Sequence, residues 1–61
     1  MNISKLRQLM ESKGINQCQL AEAAGTSQAF ISNMLKEYKV PSVAVLKRIA
    51  EYLNVSVDEL I

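Results

Sequence analysis

The hydrophobic positions of this 61-residue chain recur at intervals of three and four, broken by short polar clusters. Ile3, Leu6, Leu9 and Met10 share one face of a helix that Asn2 can cap and that runs to about Lys13. Gly14 ends it. Ile15 then precedes Asn16-Gln17-Cys18-Gln19, a capping box with Asn in place of Ser or Thr, and the pattern predicts a second helix over Gln17 to Ala24. Leu20, Ala21 and Ala24 form its apolar side. Gly25 can take positive φ without a Cβ penalty, so the chain can turn sharply there. Ser27 caps a third helix, Gln28 to about Lys36, with Ile31, Met34 and Leu35 inward. Small Ala21 allows the third helix to cross the second closely.

Residues 37–41 read as a loop, because Pro41 drives Val40 out of the α region. Ser42 caps a fourth helix, Val43 to Leu53, whose expected inner face is Val43, Leu46, Ile49, Ala50 and Leu53. Asn54 is placed for the left-handed position after it. Ser56-Val57-Asp58-Glu59 reads as another capping box, opening a last helical turn with Leu60 in the core. No stretch alternates with the two-residue period of a strand. The expectation is an all-α, compact five-helix domain spanning residues 1–61.

Composition narrows the function. A chain this short buries only about 60% of its unfolded surface, which leaves no room for a separate catalytic or effector-binding domain. There is one cysteine and no histidine, so neither an internal disulfide nor a zinc site is expected. No catalytic constellation with familiar spacing is present, and no cofactor is expected. No apolar run approaches the roughly 18 residues of a membrane span, and a cytoplasmic location follows as an expectation. Net charge is +1, low for a nucleic-acid binder. The distribution is lopsided. Residues 1–39 carry Lys5, Arg7, Lys13, Lys36 and Lys39 against Glu11, Glu22 and Glu37; residues 40–61 carry Lys47 and Arg48 against Glu51, Asp58 and Glu59.

The third helix holds the most informative surface. With Ile31, Met34 and Leu35 inward, a 100° step places Ala29, Ser32, Asn33 and Lys36 outward, and Gln28 stands at the N-terminal end. Short polar side chains of this kind suit the major groove of DNA. Gln and Asn can pair bidentately with adenine, and Ala can touch a thymine methyl. The plain alternative is a tolerated polar surface. Asn16 and Gln17 stand at the N-terminus of the second helix, where free N–H groups attract a phosphate. Capping alone would also explain Asn16.

Two short helices crossing over the turn at Gly25 form a helix-turn-helix unit. On these residues, and on Val40-Pro41-Ser42 to the end, the chain resembles the lambdoid phage repressor and Cro family, also called XRE-type. The resemblance covers nearly the whole chain. It implies a lambda-repressor-like fold and a sequence-specific DNA-binding regulator, with the third helix as recognition helix. Gln28 matches a Gln common at its first position, Ala29 stands where some members carry a second Gln, and Asn33 occupies another base-contact position. The loop after the third helix, flanked by Lys36, Lys39 and Ser42, lies along the phosphates in that family. Its members bind as two-fold dimers on palindromic operators with half-sites about one helical turn (~34 Å) apart. Val57 and Ile61 are the matching dimer-contact candidates here. Such a domain would associate with the bacterial nucleoid and needs no small-molecule effector. A protein-binding module, such as the antitoxin of a toxin–antitoxin pair, uses the same fold.

Three departures stand out. Glu37 replaces a usual glycine after the third helix, and Phe30 replaces a small polar residue. Met10 and Leu35 replace an Arg and a Glu that often form an internal ion pair, and the two apolar residues are expected to touch.

Overall fold

A computed structural model describes all 61 residues. It contains four α-helices: α1 (Ile3–Lys13), α2 (Gln17–Ala24), α3 (Gln28–Leu35) and α4 (Val43–Leu53). The expected fifth helix is a single 3-10 turn, Val57–Glu59. Its bonds join residues three apart, Glu59 N–H to Ser56 O at 3.1 Å and Leu60 N–H to Val57 O at 2.9 Å. So short a segment cannot meet the nucleation cost of an α-helix and tightens into the 3-10 form.

Local capping sets where each helix starts. The side chains of Asn2, Asn16, Ser27 and Ser42 accept from the backbone N–H groups of Lys5, Gln19, Phe30 and Val45. Gln19 reciprocates to Asn16 N–H at 3.0 Å, completing the capping box.

All four helices stop by one device. The residue at the second position beyond α3, and the first beyond the others, enters the left-handed region: Gly14, Gly25, Glu37 and Asn54, with φ of 66°, 72°, 65° and 58°. The N–H of the following residue then reaches a carbonyl near the helix end. These bonds are Ile15 to Met10, Thr26 to Ala21, Tyr38 to Asn33, and Val55 to Ala50, at 2.8 to 3.0 Å. At α3 a non-glycine adopts this geometry, and Lys36 becomes the cap residue one position earlier than the expected helix end.

The core contains Leu6 and Met10 from α1, Leu20, Ala21 and Ala24 from α2, and Ile31, Met34 and Leu35 from α3. Ile49, Ala50 and Leu53 from α4 and Leu60 from the terminal turn complete it. α2 packs on both α3 and α4. Asn2 N–H donates to Leu60 O at 2.6 Å, which ties the start of α1 to the terminal turn.

Met10 and Leu35 are both buried and line the wall of one surface depression, consistent with an apolar pair in place of two charges. Val43 departs from the expected inner face of α4 and is 70% exposed. It shares the helical stripe of Ala50 but stands at the first position of α4, where the stripe has run past the edge of the core.

Candidate nucleic-acid interface

The helix-turn-helix is built on the turn Gly25-Thr26-Ser27. Gly25 ends α2, and Ser27 opens α3 through its hydroxyl, which accepts from Phe30 N–H at 3.1 Å. Ile31, Met34 and Leu35 anchor α3 on the core, which turns its opposite side to solvent. Gln28 and Ala29 are exposed there, and Ser32 and Asn33 are half-buried. Phe30 is half-buried against the core, as a packing residue.

Two sets of polar side chains contrast. Asn2, Asn16, Gln19, Ser27 and Ser42 form hydrogen bonds that cap helices. Gln28, Ser32 and Asn33 form none within the chain. Their donors and acceptors are therefore free for an external partner. A contiguous row of this kind on a rigid helix can read the hydrogen-bonding edges of base pairs.

Of the expected phosphate-contact residues, Asn16, Gln17, Lys36 and Ser42 fall at helix ends and Lys39 in the loop between α3 and α4. Asn16 and Gln17 begin α2, with Asn16 exposed and Gln17 half-buried. Lys36, Lys39 and Ser42 are exposed along the connection from α3 to α4. Asn16 and Ser42 both act as caps. Each cap takes one N–H, that of Gln19 or Val45, and leaves the N–H groups of the first two helix residues for an anion. In the terminal segment, Val57 packs partly against the core, whereas Ile61 is 71% exposed.

Both arginines of the chain brace the helix-turn-helix from outside. Arg7 of α1 donates through Nη2 to Leu35 O at 3.0 Å, and Arg48 of α4 donates through Nη1 to Ala24 O at 3.5 Å. Each guanidinium meets the carbonyl end of a helix, where positive charge is favoured by the helix dipole. Sequence periodicity marks both arginines as surface residues and gives no sign of these contacts, which join positions 28 and 24 residues apart. A Cβ on Gly25 would lie 2.6 Å from Arg48 Nη1, but that atom is the movable tip of a long side chain, so the firm reason for glycine at this turn is its left-handed backbone.

The helix-turn-helix family matches residues 6–60. The chain belongs to the XRE-type helix-turn-helix family. This helix-turn-helix domain is also similar to a Bacillus subtilis (strain 168) protein, the uncharacterized HTH-type transcriptional regulator YazB. The two are 32% identical over 56 residues, covering 92% of this chain and 81% of that protein. No solved structure matches. No helix of the domain is long and apolar enough to cross a membrane.

Proposed function

We propose that this domain is a sequence-specific, double-stranded DNA-binding transcriptional regulator of the phage or prophage repressor type. In this reading α3 lies in the major groove, where Gln28, Ala29, Ser32 and Asn33 meet base edges. Asn16, Gln17, Lys36, Lys39 and Ser42 meet phosphates on either side. The observation that carries the reading is the free hydrogen-bonding capacity of Gln28, Ser32 and Asn33 on the outer side of the second helix of the unit. Membership of the family and the printed name of the Bacillus relative support it.

One such helix contacts few base pairs, so a two-fold dimer on a palindromic operator completes the proposal. Exposed Ile61, with the outer edge of Val57, is its contact candidate. No small-molecule effector, cofactor or catalytic step enters this reading, and the location is the cytoplasm with its nucleoid.

A net charge of +1 and the exposed Tyr38, Val40 and Val43 favour a second reading, a protein-binding module such as an antitoxin. Measuring binding to duplexes of different sequence across a salt series separates the two. A DNA-reading regulator shows steep salt dependence together with discrimination among sequences. Binding that is absent, or equal for all duplexes, defeats the proposal.

A further inference from the structure

Arg7 lines an open depression where α1, α2 and α3 come together. Met10 of α1 and Leu35 of α3 bring apolar atoms to it, and Asn16 and Gln17 bring the start of α2. Arg7 Nη2 donates to Leu35 O at 3.0 Å, so the guanidinium is held in place before any ligand arrives. That bond leaves most of its N–H donors free, and Arg7 makes no other side-chain hydrogen bond within the chain. Glu11, one helical turn on, also lines the depression but accepts no hydrogen bond from Arg7, and it is exposed to solvent. The positive charge of Arg7 is therefore not taken up inside the fold. An anion here would meet a fixed guanidinium with donors to spare. Without Arg7 it would meet the carbonyl end of α3, where the helix dipole is negative.

We propose that Arg7 is a phosphate-binding residue, whose free N–H donors hold one phosphate of the DNA backbone at the depression beside Asn16 and Gln17. This rests on the DNA-binding reading above and adds a contact from α1, a helix that no sequence motif marks for DNA. A guanidinium suits the task, because its planar fork can serve a phosphate oxygen and a second acceptor together. The same group grips Leu35 O, so it ties the bound phosphate to the last residue of α3. The backbone contact and the position of the reading helix then share one side chain.

The test begins with the best duplex selected from a random library. Uncharged methylphosphonate then replaces the phosphates of a half-site one at a time. Two variants separate bracing from phosphate binding. Arg7→Gln removes the charge and keeps an amide that can donate to a carbonyl; Arg7→Lys keeps the charge and loses the fork. One phosphate is expected at which methylphosphonate weakens the unaltered protein and Arg7→Lys, and weakens Arg7→Gln less. Arg7→Gln should also reduce the slope of log K against log salt by about 0.9 per bound domain. Between roughly 50 and 200 mM salt it would then lose about 3- to 4-fold less affinity than the unaltered protein. Arg7→Lys should keep the full slope. If Arg7→Gln does not fold, a chemically synthesised chain with citrulline at position 7, close to arginine in shape but neutral, takes its place.

A residue that only braces α3 changes affinity by the same factor on every duplex, neutralised or not. An unchanged salt slope in the neutral variant, or equal losses for all proteins at every neutralised phosphate, therefore overturns this inference and leaves the DNA-binding reading standing. If no duplex is enriched, both fail together.

Discussion

The guanidinium of Arg7 donates to the backbone carbonyl of Leu35 at 3.0 Å, joining the middle of α1 to the last residue of α3. In repressors that this chain resembles, an Arg–Glu ion pair often links the same two helices. Here the link persists without a second charge. A charged donor meets a carbonyl near the negative end of the helix dipole, while Met10 and Leu35, both buried, bring apolar side chains to the depression that Arg7 also lines. Arg7→Ala should lower stability by about 1 kcal/mol, allowing for its exposure to solvent. Arg7→Lys should recover part of that, because the charge remains and the fork does not. Urea unfolding midpoints measure both, and a neutral Arg7→Ala would mean that the bond contributes nothing in solution.

Leu35→Glu tests the apolar replacement. A carboxylate buried without a partner would cost about 3 kcal/mol or more. Arg7 already reaches residue 35, so the penalty should fall to about 2 kcal/mol. In the Arg7→Ala background the same change should cost about 3 kcal/mol, so the double variant loses about 1 kcal/mol more than the two single effects added together. Met10→Arg should recover much of the loss. Strict additivity of Arg7→Ala and Leu35→Glu would show that the two sites do not interact.

Gly25 combines a φ of 72° with a Cβ position 2.6 Å from Arg48 Nη1. Gly25→Ala should cost about 1 kcal/mol, chiefly from the left-handed backbone. The tip of Arg48 can swing aside, giving up only a long bond to Ala24 O. Repeating the change with Arg48→Ala should therefore recover no more than about 0.5 kcal/mol. Full recovery in that background would place the cost in the arginine contact and not in the backbone.

Glu37 sits at φ 65°, a conformation that glycine adopts freely. A side chain there costs about 1–2 kcal/mol, whereas the extra freedom of an unfolded glycine returns roughly 0.5–1. Glu37→Gly should stabilise the domain by about 0.5–1 kcal/mol. Glu37→Ala is the control: it removes the negative charge near the carbonyl end of α3 but keeps the strained backbone. Equal gains from the two variants, compared by thermal denaturation, would assign the effect to charge.

Base and phosphate contacts respond differently to mutation. Gln28→Ala and Asn33→Ala should each cost about 1–3 kcal/mol on the best site and relax preference at one base pair. Lys39→Ala should weaken every duplex alike and lower the salt slope by about one unit. Binding isotherms on matched and mismatched duplexes resolve the two patterns. A uniform loss for Gln28→Ala would remove it from the set of readers.

The helix boundaries were legible in the sequence because they depend on bonds between close neighbours. Asn2, Asn16, Ser27 and Ser42 each cap an N–H three residues on, and Gly14, Gly25 and Asn54 each close a helix within a few residues. Periodicity likewise fixed which side of α3 faces inward, and so which residues form the candidate reading row. Tertiary structure decided what depends on separate elements meeting. Val43 carries the right period for the core but lies past its edge, and the terminal segment tightened into a 3-10 turn instead of a fifth α-helix. Arg7 and Arg48 look like surface charge along the chain. Only the packing of α1 and α4 around the helix-turn-helix brings them to carbonyls 28 and 24 residues away. A cap is set by local dihedral angles, whereas a bond across the fold exists only once hydrophobic burial has fixed where each helix lies.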